Sequence, residues 1–400
     1  MREPVLVTGL GVVSPFNPDG DRERFWESVC AGETAVGAIR SFDASSYPCR
    51  VAAEVPRDLL QGGRAADDPA LRMAERAFER ALEHAGIAAG IRAPRRAGII
   101  VGTVLGGTTS GERYLRARAA DAPGATEALA QYPLRATVAA LAEKAGFAGP
   151  ILTVSTACAS GTDAIGLAYR RIASGSADVM VAGGVDAVCE LSFSGFSALK
   201  ALTSDRVRPF SRNRTGLALG EGAAFLVLER EESAKRRAAT PLGVIAGYAA
   251  RADAFHVTAP HRDGRGLAAA VKAVLQDGAV GADEIDYVSA HGTGTPYNDR
   301  METQAMKVAL GVRAQRVPIS SVKGALGHAF GAAGAIEAAV CLLAIRDGIV
   351  PPTANLEEPD PECDLDFVPI RARELTVRTA LSLSAGFGGQ NAALLIRGWP

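Results

Sequence analysis

Short β-rich apolar runs alternate with alanine-rich stretches along the whole chain, and this alternation restricts the fold more than any other feature. It reads as α/β layering. Strand candidates in the first half cover residues 5–8, 98–101, 151–154, 178–181 and 224–228. Those in the second half cover 243–246, 285–288, 317–320, 379–383 and 393–396. Five fall in each half, and each half ends in a strong run followed by an arginine, Arg230 and Arg397. The pattern predicts an internal duplication with its joint near residues 231–241, one unit over 1–235 and a second over 236–400. Residues 107–118 and the region around 121–124 read as loop, or as a mobile insertion on the first half.

The 400 residues exceed what one ordinary core holds, which fits two fused units. Lys and Arg number 43 against 44 Asp and Glu, so the basic footprint of a nucleic-acid binder is absent at whole-chain level. No uninterrupted apolar stretch reaches the roughly 18 residues of a membrane span. Residues 1–5 lead directly into the first strand candidate, without the apolar run of a signal peptide. The six cysteines (Cys30, Cys49, Cys158, Cys189, Cys341 and Cys363) form no C-x-x-C pair. Zinc-site spacing and a disulfide framework are both missing, and a reducing cytoplasm is the expected compartment.

Cys158 stands apart from the other five. It lies in Val154-Ser155-Thr156-Ala157-Cys158-Ala159-Ser160-Gly161-Thr162, where an apolar strand ends, small residues follow and a helix begins. A strand-to-helix corner puts the thiol at a helix N-terminus, where orphan N–H groups and the dipole favour an anion. A free thiol has a pKa of about 8.5, and this setting is expected to move it toward the thiolate. The other cysteines read as small core residues.

Two of the five histidines occupy glycine-rich frames beyond strand ends. His291 lies in His291-Gly292-Thr293-Gly294-Thr295, and His328 in Lys323-Gly324-Ala325-Leu326-Gly327-His328, ahead of an alanine-rich helix. Open α/β sheets place their sites beyond the C-terminal ends of strands, so both converge with Cys158. His84 reads as a dipole partner in the last turn of a helix, and His256 and His261 carry no assigned role. No H-E-x-x-H spacing is present, and no metal is expected.

Thr156-Ala157-Cys158-Ala159-Ser160-Gly161, the His291 frame, the His328 frame and Gly386-Phe387-Gly388-Gly389-Gln390-Asn391 follow one another in that order. Together they resemble the β-ketoacyl-acyl-carrier-protein synthases of the thiolase superfamily, the Cys-His-His condensing type. The resemblance implies a thiolase-like, duplicated αβαβα five-layer sandwich of the α/β class. It implies Cys158 as nucleophile, His291 and His328 as donors to a malonyl thioester oxygen, and Lys323 in a charge network with Glu337. It further implies backbone N–H groups of Cys158 and Phe387 at the tetrahedral oxyanion. Phe387 matches the gate residue, with Gly388 beside it at the substrate, and Thr293 and Thr295 match the hydroxyls that meet a pantetheine arm. Leu105 and Phe196 match the acyl-pocket wall. Lys200, Arg206 and Arg208 are candidates for a basic rim facing an acidic carrier protein.

No cofactor is expected to be held tightly, since phosphopantetheine arrives on the acyl carrier protein. The implied assembly is a homodimer, or a heterodimer with a homologous ketosynthase-like subunit. Residues 296–303 resemble the N-D-R-x-E-T pattern of type II polyketide and aryl-polyene ketosynthases, Gln390 replaces the usual Thr or Asn, and the Lys200 to Phe210 stretch is short. These departures point to polyketide or polyene synthesis rather than housekeeping fatty-acid elongation. Two other readings stay open at this point: a non-catalytic partner subunit of the chain-length-factor kind, and a Cys-dependent hydrolase or acyltransferase using one histidine.

Overall fold

The computed structural model describes residues 3–60, 67–87, 94–122 and 125–400. Residues 1–2 of the N-terminal reading, and 123–124 of the second predicted loop, lie outside the described residues. Ten strands build the main sheet, named here in chain order. The first half supplies β1 (Val5–Val13), β2 (Ala97–Gly102), β3 (Ile151–Val154), β4 (Val179–Asp186) and β5 (Gly222–Arg230). The second supplies β6 (Gly243–Ala252), β7 (Tyr287–Ser289), β8 (Ile319–Ser320), β9 (Thr379–Gly386) and β10 (Gln390–Arg397). All ten sequence candidates therefore fall on observed strands.

The spatial order is β8-β7-β9-β10-β6-β1-β5-β4-β2-β3. Outward from the β6–β1 junction the second half runs first, fifth, fourth, second, third, and so does the first half. The pairing directions mirror as well. β2 lies parallel to both β3 and β4, as β7 does to both β8 and β9, and the remaining neighbours are antiparallel. One strand-helix pattern has thus been used twice, as the paired apolar runs predict.

Helices cover and separate the two half-sheets. Seven of them, named in chain order, are α1 (Pro69–Ala85), α2 (Thr108–Ala119), α3 (Ser160–Ala173), α4 (Glu190–Ala198), α5 (Arg265–Gly278), α6 (Pro296–Leu310) and α7 (Ala333–Asp347). α1 buries Met73, Ala77 and Phe78 against Ile99, Val181 and Phe225 on the outer face of the first half. α5 and α6 bury Leu267, Val271 and Met301 against Val288, Leu381 and Leu395 on the outer face of the second. α3 and α7 fill the middle, packed on both half-sheets. A helix enclosed on all sides has no need of a polar stripe, and α7 is buried at every position from Ala333 to Ala344. The strands follow the same logic: Leu394 and Ile396 enter the central core while Ala393 and Leu395 enter the outer one. With both faces covered, they read as continuous apolar runs rather than an alternation.

The predicted loop over 107–118 is a correction, because Thr108–Ala119 is the helix α2. It buries only Ser110 and Gly111, so no apolar period of 3.6 marks it in the sequence. Gly111 fits there because a Cβ would stand 2.7 Å from the Tyr132 ring.

The first turn of α3 touches the opposite half through a glycine. A Cβ on Gly161 would lie 2.6 Å from the carbonyl oxygen of Gly331 and 3.0 Å from the nitrogen of Ala335. Gly161→Ala is therefore expected to push α3 and the residues leading into α7 apart, at about 1–3 kcal/mol, the usual cost of overpacking. Chemical denaturation of the variant beside the parent measures it, and unchanged stability would contradict this packing.

Candidate active site

Cys158 follows β3 on a tight elbow. Ala157 has φ +51°, left-handed space that an L-residue enters only when its surroundings hold it there. Two side chains do so. Ser160 Oγ accepts the Thr156 N–H at 2.9 Å and donates to the Ala157 carbonyl at 2.6 Å. Thr156 Oγ1 donates to Asp163 at 2.5 Å, and Asp163 also accepts from the Tyr248 hydroxyl of β6 at 2.8 Å. The elbow is thereby pinned to the second half.

The helix itself starts at Ser160, beyond the thiol. The expected move of Cys158 toward the thiolate is corrected here: burial pushes the thiol up to about 11. A dipole acts over about the first turn, whereas desolvation acts on the whole group. The Lys323 charge and the N–H groups of Phe387 and Cys158 pull the other way without overcoming burial. Both of those N–H groups lie close to the sulfur.

His291 sits just past β7. Its own N–H and that of Gly292 donate to the two oxygens of Glu302, at 2.6 and 2.8 Å. Gly294 N–H donates to Asp299 at 3.2 Å, and the Asp299 carboxylate also takes the Phe210 N–H at 2.7 Å. Glu302 and Asp299 are fully buried on α6, and burial raises them to about 7 and about 6. They hold the loop's shape. The sequence reading used this segment only as a pathway signature and missed what its two acids do. A usable signal was their i, i+3 spacing, which puts both on one helix face directly after a histidine loop.

His328 occupies the equivalent place ahead of α7. Its Nδ1 accepts the Phe330 N–H at 3.1 Å. The Lys323 ammonium lies 3.3 Å from Nδ1 of His291 and forms a buried ion pair with Glu337. An ammonium only donates, so Nδ1 accepts in both rings and each neutral ring carries its proton on Nε2. Burial, and next the Lys323 charge, hold both histidines well below their ordinary pKa. Burial raises Glu337 to about 7.

The Cys158 sulfur and one nitrogen of each ring lie within 4.8 Å of one another, and the ring centroids are 5.2 Å apart at 82°. That spacing alone would suit a metal ion. The tautomers argue otherwise, since the rings offer N–H into the site and keep their lone pairs for Phe330 and Lys323. A cavity of about 350 Å³ opens on all three groups.

Two models of the β-ketoacyl synthase family match, the N-terminal domain over residues 2–234 and the C-terminal domain over 242–357. The chain belongs to the β-ketoacyl synthase family. It is 42% identical over 414 residues to the tetracenomycin polyketide synthase ketoacyl synthase alpha subunit of Streptomyces glaucescens, covering 98% of this chain and 97% of that protein. It is 38% identical over 419 residues to the 3-oxoacyl-[acyl-carrier-protein] synthase 2 of Coxiella burnetii, covering 98% of both chains. Among solved structures it superposes on the ishigamide ketosynthase/chain length factor with a TM-score of 0.93 at 36% identity, over 100% of both chains. It also superposes on AntDE:AntF, a type II acyl-carrier protein in complex with its ketosynthase bound to the hexaketide, with a TM-score of 0.91 at 32% identity over 100% of both chains. The fold is accordingly the thiolase fold, and the activity is that of a ketosynthase, an acyltransferase.

Several other expected residues of this synthase line the same cavity. Thr293 and Thr295 face it with hydroxyls 2.9 Å apart, and Lys200 stands at its wall. Phe387 stacks on Phe196 at 5.5 Å and 18°, both lining the cavity, while Gly388 (φ +79°) donates to the Val257 carbonyl at 2.6 Å. Leu105 lies outside the cavity, in an apolar cluster shared with Phe196 and Phe330. Arg206 and Arg208 do not line it either; Arg206 is exposed and Arg208 pairs with Asp205 at 2.7 Å.

The sequence reading missed Asp253 and Asn391. Asn391 donates to Asp253 at 2.8 Å, and Asp253 N–H donates to the Gly389 carbonyl at 2.9 Å, so the loop after β6 is tied to the loop of Phe387. His256 and His261 belong to that loop: His256 accepts the N–H groups of Thr258 and Ala259, and His261 pairs with Asp263. His84 is corrected too. Its ring accepts the Leu10 N–H at 3.2 Å, and burial holds its pKa down to about 4, so it brings no charge to its helix end.

With burial in control of the thiol, alkylation of Cys158 by iodoacetamide is expected to keep accelerating above pH 9, instead of levelling near the ordinary value of about 8.5. Lys323→Met removes the cation that pulls the thiol down, so its pKa rises and alkylation at pH 8 slows, about tenfold for every 1.4 kcal/mol of lost attraction. Inactivation rates across pH check both; a plateau at pH 8, or a faster variant, would contradict this electrostatic reading.

Proposed function

We propose that this synthase lengthens a carrier-bound acyl chain by decarboxylative Claisen condensation, with Cys158 as nucleophile and His291 and His328 as paired donors. The carrying observation is a thiol and two neutral, N–H-presenting imidazoles gathered within 4.8 Å at one cavity. A hydrolase or simple acyltransferase needs one base, whereas two donors aimed together suit an enolate oxygen.

In the first half-reaction the Cys158 sulfur bonds to the acyl carbonyl carbon. The carrier's carbon–sulfur bond breaks, and its thiol leaves with the proton that Cys158 gave up. The N–H groups of Cys158 and Phe387 face the oxyanion formed on the way. A malonyl thioester then enters. Its carboxylate leaves as carbon dioxide, and the electron pair of the broken bond becomes an enolate whose oxygen takes the Nε2–H donors of His291 and His328. The enolate carbon attacks the acyl carbonyl, the bond to sulfur breaks, and the released Cys158 thiolate takes a proton from solvent, which restores the thiol. Pre-aimed donors of this kind are worth about 3 kcal/mol of barrier each. Burial keeps both rings neutral, the Lys323 charge reinforces it, and the ammonium keeps Nδ1 of His291 an acceptor.

The pantetheine arm comes as part of the substrate and runs past Thr293 and Thr295. Residues 1–235 then contribute the nucleophile, and 236–400 both histidines. Lys200, with Arg206 and Arg208 farther out, forms the basic rim for an acidic carrier protein, and Phe196 bounds the acyl chain, with Leu105 in the apolar cluster behind it. Identity of about 40% to Streptomyces polyketide subunits supports polyketide-type chains as the product.

The assembly is read from β3. It closes one end of the main sheet, and its Ile151 and Leu152 are 40% and 38% exposed. An apolar, unpaired edge invites another strand, and a homologous subunit or a second copy is the partner we assign. Solved relatives include ketosynthases with their chain length factors. Among the described residues no helix is long and apolar enough to cross a membrane, and the six cysteines are free; both support a cytoplasmic enzyme.

Incubation with acyl-carrier protein is expected to raise the intact mass by one acyl group, and Cys158→Ala to abolish the gain. His328→Ala is expected to keep part of the acylation while losing about two orders of magnitude of carbon dioxide release from malonyl-carrier protein, the usual cost of one aimed donor. Undiminished release would remove His328 from this scheme.

A further inference from the structure

Asp186, at the C-terminal end of β4, is fully buried, and among the described residues no cation pairs with it. Its carboxylate is instead surrounded by donors from two loops. Oδ1 takes the Thr103 hydroxyl at 2.7 Å and the Leu105 N–H at 2.8 Å. Oδ2 takes the Gly331 N–H at 2.7 Å, and the Val104 N–H reaches Oδ2 at 2.9 Å and Oδ1 at 3.2 Å. One loop thus carries Leu105, the other follows His328.

The second loop holds a strained residue. Phe330 has φ +48°. Its N–H fixes Nδ1 of His328, and the next N–H, that of Gly331, is the one that Asp186 holds. The Phe330 ring lies edge-on to Phe196 at 5.8 Å and tilted over His328 at 6.0 Å. A side chain at Gly331 would collide with both Asp186 and Thr103, at 2.7 and 2.9 Å, so little slack separates the two loops. Such strain persists only where its surroundings over-determine it, and it marks a functional constraint.

We propose that Asp186 is a positioning residue that makes the aim of His328 depend on the acyl chain lodged against Phe196, whose apolar cluster includes Leu105. A chain long enough to displace Phe196 moves the apolar cluster that it shares with Leu105, shifts the 103–105 loop and turns the shared carboxylate. The Gly331 N–H follows, Phe330 resets, and the Nε2–H of His328 swings with its ring. Decarboxylation of the second substrate is thereby matched to the length of the first. The inference rests on the roles assigned above to Cys158 and His328, and acylation and carbon dioxide release are measured separately so that those roles are judged on their own.

The test compares carbon dioxide release from malonyl-carrier protein by full-length enzyme charged at Cys158 with acetyl or with a long saturated acyl group. In the parent the two rates are expected to differ by at least about fivefold, the lower end of ordinary coupling. Asp186→Asn offers one acceptor oxygen and an amide that donates, so it cannot accept from both loops. Its ratio is expected to fall to near one, and Asp186→Glu to restore part of it. A merely structural role would lower both rates by one factor and leave the ratio intact, and that result, or a parent ratio of one, overturns the proposal. Should Asp186→Asn not fold, Leu105→Ala removes the side chain that joins the 103–105 loop to the cluster of Phe196; a ratio near one supports the coupling, and the parent ratio refutes it.

Discussion

The buried ammonium of Lys323 governs the chemistry around it. Its pairing with Glu337 places a cation inside the protein, an arrangement that costs desolvation energy and is poor economy for stability alone. What it accomplishes is electrostatic. It lies 3.3 Å from Nδ1 of His291, suppresses the charging of both imidazoles, and draws the thiol down against burial. Without that cation the tautomer of His291 would be unassigned and the thiol less acidic still. Backbone does the same service for His328 through the Phe330 N–H. One ring is therefore set by a charge and the other by a peptide group.

Duplication explains how such a site is assembled from distant residues. Cys158 follows the third strand of the first half and leads into α3, and His328 follows the third strand of the second half and leads into α7. The two loops are equivalent places in a repeated pattern, brought face to face because α3 and α7 share the central layer. Glycines at the crossing points let the halves approach at backbone distance. The elbow bond from Thr156 to Asp163 and on to Tyr248 then locks one half's nucleophile to the other half's sheet.

Much of this was legible in the residues. Strands buried on both faces announce themselves as apolar runs, so all ten candidates fell on observed strands. Cys158, His291 and His328 stood out because small residues beyond strand ends leave room for a ligand. The remainder depends on distance and desolvation, which spacing does not encode. The thiol's direction reversed because burial outweighed a helix end that begins two residues too late. α2 hid because it buries only Ser110 and Gly111. Asp299 and Glu302 looked like a pathway signature because their partners are backbone N–H groups, which no sequence pattern displays. Arg206 and Arg208 are near the cavity in sequence and away from its wall in space.

The two ends of the ten-stranded sheet are unequal. β8 is two residues long and buried, whereas β3 turns Ile151 and Leu152 outward. Of the two sheet ends, only that of β3 presents an apolar margin to a neighbour. Two copies joined there in a two-fold pair cover that margin on each other and leave no free copy of it at either end. The same asymmetry leaves room for divergence: a gene copy could lose its own chemistry and survive as a companion, provided that it kept the one margin intact.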